Sequence, residues 1–470
     1  MKIKIPAKTP KRDRKSTTTT AVVVGAGIGG LTVARALARA GISTVVLESR
    51  DAPGGAVRSH RVDGLLLDAG AESFATRGDY VADLVADLGL TDQVTTPDPV
   101  GAWVQLPDSA RPMPHGGVLG IPADPWSAPI RKALGTVGAA RASLDLVLPA
   151  KVGSGGSLRS QVSRRMGRRV VDRLVHPVVG GVYGADPADV TLAGLAPHLA
   201  AELPKSGGSL ARAVRTVVAS MPAGASTLGL NGGLFRLTHA LVDDVEAHGG
   251  EVVLRTKVTG VSHGDDGWTV TTADGERHAD LLVLAAPVLA GLEGLEKVEL
   301  DAGRPSTLVT LVLDDSRLDA APRGTGMLVA PGSPVDAKAL THSTVKWSWL
   351  AEQAGQGRHV LRVSYEGDRM GGQWTGENRE RLRDAALVDA GQMLGMALSG
   401  ARLVDYDVVV WTQAMPRPSA AHREAVAKVK ALADATPDLA VTGSWVAGTG
   451  LAAVVADARA TAQALVPDAS

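Results

Sequence analysis

Gly25, Gly27 and Gly30 follow the apolar run Ala21–Val24, and Glu48 closes a second apolar run, Thr44–Leu47. Each glycine in a GxGxxG series does a different job. The first permits a tight turn, the second lets backbone approach a pyrophosphate, and the third lets a helix pack close to a strand. The pyrophosphate then sits on the N-terminus of the helix that starts at Ile28 and Gly29, with Ala26 inside the turn. A carboxylate about twenty residues on is placed for ribose hydroxyls, with Ser49 beside it. The chemistry is dinucleotide binding; the bland alternative is a glycine-rich turn with no ligand. NAD and FAD proteins share this motif, so it does not by itself choose between them. A second pair, Gly54-Gly55, followed by Ala56 and Arg58, can itself add backbone N–H groups at the same phosphates.

The strands and helices around these residues are legible in outline. Residues 21–75 read strand, helix, strand and a glycine turn. Val81 to Leu90 is helical in pattern, and residues 101–128, rich in Pro and Gly, read as loops and short strands. From Gly153 to Ala201 helices dominate. There Val162, Met166, Val170 and Leu174 recur at spacing four with arginines on the other side. Pro177 and Gly180-Gly181 are expected to end or bend that helix. Around 230–261 a helix leads to a strand, then comes a hairpin and a buried strand ending at Pro287. Residues 305–365 alternate like a sheet, 377–398 like a helix, and the chain closes on strand, glycine turn and helix. No repeat of fixed period is present.

The totals narrow the function classes. A chain of 470 residues, 45% apolar, implies about two to four globular domains. Lys+Arg and Asp+Glu both total 49, so no global charge favours nucleic acid. With no cysteine, disulfides, thiolate metal sites, a cysteine nucleophile and a cysteinyl-flavin link are excluded. No apolar stretch of about 18 residues escapes a charge or breaker. The basic start, "MKIKIPAKTPKRDRKSTTTT", reads as a solvated disordered tail, with an anchor to anionic lipid as the alternative.

The sequel to the first grip, "SRDAPGGAVRSHRVDGLLLDAGAESF", resembles the flavin amine oxidase superfamily, and this resemblance selects FAD, bound noncovalently. It implies that Gly70, Ala71, Glu72 and Ser73 lie beside the flavin ring and that the backbone of Val258 meets the adenine. It also implies that Gly443, Ser444, Gly448, Thr449, Gly450 and Leu451 form the C-terminal flavin motif. Four stretches narrow the resemblance to the oxygen-dependent porphyrinogen oxidases: "GLLLDAGAESF", "RRVVDRLVHPVVGGVYGADPADVTL", "STVKWSWL" and "VWTQAMPRPSAAH". In the last, Trp411 matches a flavin-contacting position. Bland readings stand beside these. The arginine helix at 159–173 is a core helix with a solvated face, or else a wall attracting the substrate's carboxylates or an anionic surface. Lys346 and His422 read as surface or structural residues, and Trp411 and Trp445 as core. The chain departs from the family pattern at Ala452, where Pro is usual, at Ala458, where Gly is usual, and at Ala102, where some members carry a basic residue that helps hold a propionate; Arg111 is near but not equivalent.

The resemblance implies an α/β fold: a Rossmann-type FAD-binding domain (20–75, 222–290, 405–470), a mixed-sheet substrate domain (76–100, 291–404), a helical insertion over the pocket (101–221) and the tail (1–19). It implies oxidation of coproporphyrinogen III to coproporphyrin III in heme biosynthesis, by hydride transfers to flavin with O2 reduced to H2O2. Protoporphyrinogen IX is the alternative substrate. The resemblance names no catalytic residue, and no metal is expected. A cytoplasmic protein, with peripheral membrane contact and product hand-off to a ferrochelatase, completes the family expectation. Two other enzymes and a carrier compete. An amine oxidase usually flanks its flavin with paired aromatics, which four tyrosines and two phenylalanines do not supply. A carotenoid-type desaturase lacks the "VVDRLVHPVVGGVYGADP" stretch. A non-catalytic flavin or porphyrin carrier is favoured only by the altered terminal motif.

Overall fold

The computed structural model describes residues 19–76, 78–220, 227–301, 303–367, 377–415, 420–448 and 450–466. Residues 1–18 of the basic tail, 222–226 at the start of the second FAD-binding segment, and Thr449 lie outside them.

Two sheets organise the molecule. The first is parallel and five-stranded, in the order Glu251–Val253, Ser43–Leu47, Thr20–Val24, Leu281–Leu284, Leu439–Val441. Its strands are apolar on both faces, as a doubly covered parallel sheet requires. Val23, Val46 and Val283 pack on the helices Ile28–Arg39, Arg236–Ala247 and Leu451–Leu465. On the other face, Val22, Leu282 and Leu284 meet Trp268 and Val270 of an antiparallel three-stranded sheet. The helix Tyr80–Asp87, expected with the substrate domain, instead packs on Leu451–Leu465 and buries Val81, Leu84 and Val85 in the core of the parallel sheet and its helices.

The second sheet has seven strands, in the order Leu403–Met415, Arg304–Asp314, Arg358–Glu366, Ala339–His342, Gly326–Val329, Trp103–Gln105, Ala110–Pro112. One face, with Val309, Leu311, Leu361, Val363 and Tyr365, packs on Leu382, Ala386 and Met393 of the helix Glu377–Leu394. Alternation puts Ser306, Arg362, Ser364, Glu366 and Trp411 on the opposite face. Two expected boundaries fall inside this sheet. Residues 103–112, expected at the start of the helical insertion, form its edge. Leu403–Met415, expected to open the last FAD-binding segment, pairs along most of its length with Arg304–Asp314. The pairings that bring them in, Trp103–Gln105 with Gly326–Val329 and Leu403–Met415 with Arg304–Asp314, are long-range and not specified by local periodicity.

A helical layer covers one end of the second sheet. Val162, Met166, Val170 and Leu174 are buried as their spacing predicts. Pro177 does not end the helix. It lies within a helical run that continues from Arg168 to Tyr183, directly after an irregular turn. The irregularity lies earlier, in a π turn over Val171–Val175, and Gly184 ends the helix with φ 59°. The solvated arginine face has one exception. Arg165 is 1% exposed and ion-paired to the fully buried Asp145. Its guanidinium also donates to carbonyls of Asp145 at 2.9 Å and Val152 at 3.0 Å. Asp145 in turn accepts from the Ala211 amide at 2.8 Å and Ser209 Oγ at 2.7 Å, capping the helix Leu210–Ala219. Among the described residues no helix is long and apolar enough to cross a membrane.

Candidate functional site

Gly25 turns with φ 104° and donates its amide to Leu47 O at 2.8 Å. A Cβ on Gly30 would lie 2.0 Å from Gly25 O and 2.9 Å from Ala285 Cβ, so only glycine lets the helix seat here. Gly27 differs. Its φ of −73° suits any residue, and a Cβ there would meet nothing within 4 Å. Open space therefore faces the start of the Ile28–Arg39 helix, which has no side-chain cap and no acid in its first turn. Such an end presents unpaired N–H groups and favours an anion. Gly54 donates to Ala26 O at 2.7 Å and bridges to Gly27, while Gly55 lies against the Gly27 Cα. The second glycine pair is thus brought to the first, and the cradle fits a pyrophosphate.

Glu48 is 7% exposed. Its Oε2 accepts from the Ala26 amide at 2.9 Å, and its Oε1 from the Arg50 amide at 2.9 Å and Ser49 Oγ at 3.3 Å. It therefore shapes the glycine loop, a role its position in the sequence did not announce. A carboxylate has about four acceptor sites, so a ribose hydroxyl can still be received. Gly29 is also more specific than expected: a Cβ there would lie 2.9 Å from Gly443 Cα. The helix start and the C-terminal motif meet backbone to backbone. Val258 is buried at the start of its strand, in the same core cluster as Leu47 and Trp268.

At the C-terminal motif, Gly443 has φ 100° and packs on Ala285 O. Ser444 begins a short helix, Gly448 has φ 94°, and Gly450 caps the helix Leu451–Leu465. Cβ atoms on Gly448 and Gly450 would meet nothing within 4 Å. Ala458 is fully buried and Ala452 packs on the same core, so the two departures from the family pattern leave this helix intact.

Ala56, Arg58, Gly70 and Trp411 form one wall. Ala71 N donates to Ala56 O at 2.9 Å and Ala69 N to Arg58 O at 2.8 Å. A Cβ on Gly70 would strike Ala56 O at 2.2 Å and the Trp411 ring at 3.0 Å. Trp411 Nε1 donates to Ala69 O at 3.2 Å, and the Arg58 and Arg50 guanidiniums stand 4.8 and 5.2 Å from its ring. Burial, then the Arg50 charge, lower the Arg58 pKa. Next along, Glu72 bonds Lys346 Nζ and, at 2.8 Å, Arg362 Nη1, while Arg362 Nη2 donates to Gly70 O at 2.6 Å. Burial pushes the Glu72 carboxyl up, but Lys346 and Arg362 outweigh it and hold it at about 2. Lys346 is thus no lone surface lysine. Arg362 has no sequence signal beyond its alternation in a strand. Ser73 follows in the same segment, half-buried. His422, by contrast, is buried against Trp445 O at 3.1 Å, and Trp445 packs in the core.

Residues 28–466 match the family model of flavin containing amine oxidoreductases. The chain is 32% identical to a coproporphyrinogen III oxidase of Propionibacterium freudenreichii subsp. freudenreichii, over 95% of this chain and 90% of that protein. It is 31% identical to a coproporphyrinogen III oxidase of Mycobacterium tuberculosis (strain ATCC 25618 / H37Rv), over 92% and 94%. A crystal structure from Exiguobacterium sp. 255-15 superposes with a TM-score of 0.80 at 24% identity, over 96% of this chain and 99% of that one, and shares the fold. With a dinucleotide cradle at the amino end, a second glycine motif against it at the carboxyl end and these whole-length relatives, the chain belongs to the flavin-containing amine oxidoreductases, in their porphyrinogen-oxidase branch, and is a flavin-dependent oxidoreductase.

Proposed function

We propose that the protein binds FAD noncovalently and oxidises coproporphyrinogen III to coproporphyrin III. Six hydrogens leave the substrate, and three O2 become three H2O2. The observation that carries this reading is the continuous wall from the Gly27–Gly54 cradle through Gly70 to Trp411. It joins a dinucleotide site to the charged face of the second sheet. The choice of coproporphyrinogen is supported by the names of the whole-length relatives.

In this reading Gly25 to Gly30, Gly54, Gly55 and Arg58 hold the pyrophosphate, Glu48 and Ser49 the ribose, and Val258 the adenine. Gly70 to Ser73, Trp411 and Gly443 to Leu451 enclose the isoalloxazine. Bound FAD supplies a two-electron acceptor that oxygen can reoxidise. The protein's share is to hold a large flat substrate against it and keep water away. No protein base is assigned, because aromatization of the macrocycle drives proton loss. The absence of cysteine agrees with noncovalent binding. Cytoplasmic placement with peripheral membrane contact belongs to the same proposal. Trp126, Val137, Leu144, Val147, Val182 and Tyr183, all exposed on the helical layer, support that contact. Hand-off to a ferrochelatase rests on the resemblance. Anaerobic mixing with coproporphyrinogen III should bleach the bound flavin; flavin that stays oxidised contradicts the proposal.

A further inference from the structure

The polar face of the second sheet leads away from Trp411 to a cleft of about 510 Å³. Register pairs Trp411 with Ser306, and Ser306 with Glu366. Lys338 Nζ donates to Ser306 Oγ at 3.2 Å, and its backbone bonds Ser364 O and Val329 N. These residues all lie at one end of the sheet. Strands are spaced about 4.8 Å apart, so the row from Trp411 to the Lys338 strand spans roughly 14 Å. Two further strands end just before Pro331 and Pro107, and both prolines line the cleft. The helix His176–Tyr183 closes over this face, for a Cβ on Gly181 would lie 2.6 Å from Leu328 Cδ2. His176 lines the cleft too, and the Glu366 charge acts on both His176 and Lys338.

The cleft is rich in guanidinium. Arg159, Arg168, Arg169 and Arg173 line it against Asp172 and Asp186. Arg159 is answered by Asp186 at 3.3 Å and Asp172 at 3.7 Å, and Arg173 by Asp108 at 2.8 Å. Arg168 and Arg169 have no carboxylate within 4.0 Å among the described residues, and Lys338 has none either. Forked donors without counter-ions in a concave site match carboxylates. The row is comparable in length with a flat four-ring macrocycle and its extended propionate arms.

We propose that this arginine cleft is the outer end of the substrate pocket and binds the propionates of the tetrapyrrole that point away from the flavin. The proposal rests on the porphyrinogen reading above and deepens it. Arg168 is the cleanest probe, because it is exposed and its side chain holds no described partner. Arg168→Gln should leave flavin occupancy and thermal unfolding unchanged. It should weaken binding of coproporphyrin III, read by fluorescence quenching, roughly tenfold, the factor carried by one charge-assisted hydrogen bond. Arg168→Lys should recover part of it. Coproporphyrin III tetramethyl ester, which lacks the carboxylates, should bind wild type and Arg168→Gln alike. Equal coproporphyrin affinity in wild type and Arg168→Gln overturns the proposal, as does an equal loss for acid and ester. Binding is read without turnover, so a wild type that binds coproporphyrin through Arg168 yet oxidises no porphyrinogen would refute the function and spare the cleft.

Discussion

Gly27→Asp separates the ligand's needs from the fold's. The extended backbone at Gly27, φ −73° and ψ 171°, accepts any L residue, and a Cβ would meet nothing within 4 Å. Gly27 is also the N-cap of the Ile28–Arg39 helix. Aspartate caps at least as well as glycine, by a few tenths of a kcal/mol, so the apoprotein should unfold at the wild-type temperature or slightly above it. FAD should fare differently. One carboxylate about 4 Å from one phosphate charge costs about 4 kcal/mol at an effective dielectric of 20. That is about a thousandfold in Kd, before any steric term. The assay is titration of apoprotein with FAD, followed by fluorescence quenching, beside thermal unfolding of the same apoprotein. Wild-type FAD affinity in Gly27→Asp would refute the cradle. An apoprotein that no longer folds would refute the claim that the space at Gly27 is the ligand's.

Gly30→Ala should do the reverse and destabilise apoprotein and holoprotein together, since its Cβ would lie 2.0 Å from Gly25 O; thermal unfolding of both forms checks it. Glu72→Gln should cost about 3 kcal/mol near neutral pH by leaving Lys346 and Arg362 short of their counter-charge. The Glu72 carboxyl is depressed to about 2 in the fold. Its contribution is therefore complete above the unfolded value near 4.5 and lost as pH falls through about 2. Denaturant unfolding of wild type and Glu72→Gln should converge on acidification; a gap independent of pH would contradict the assignment. Asp145→Asn should destabilise the helical layer by about 3–5 kcal/mol, because Arg165 is then buried without its charge partner. A paired Asp145→Leu, Arg165→Met variant should lose less, as read by unfolding and limited proteolysis.

What was legible in the chain was what local pattern encodes. The strand–turn–helix around Gly25 to Gly30, the carboxylate at Glu48 and the closing glycine–helix motif follow from spacing. The buried stripe Val162, Met166, Val170 and Leu174 follows from helical period. What escaped depends on contacts far apart in the chain. Residues 403–415 alternate like any half-buried strand, and nothing local says that they join Arg304–Asp314 rather than the parallel sheet. Arg165 looks like its solvated neighbours until Asp145, twenty residues earlier, supplies the charge that buries it. The Glu72–Lys346–Arg362 cluster draws on three separate segments. The contact between Gly29 and Gly443 joins opposite ends of the chain, and neither glycine announces the other.

Oxidation of a porphyrinogen by a flavin held in this cradle can be observed in one assay. That assay is aerobic turnover of coproporphyrinogen III and of protoporphyrinogen IX by the FAD-bound protein, with porphyrin fluorescence and peroxide followed together. Coproporphyrin III should form faster, with three peroxides for each porphyrin. Faster turnover of protoporphyrinogen IX would leave the cradle standing and reverse the substrate. No turnover of either, with FAD bound, would contradict the proposed function.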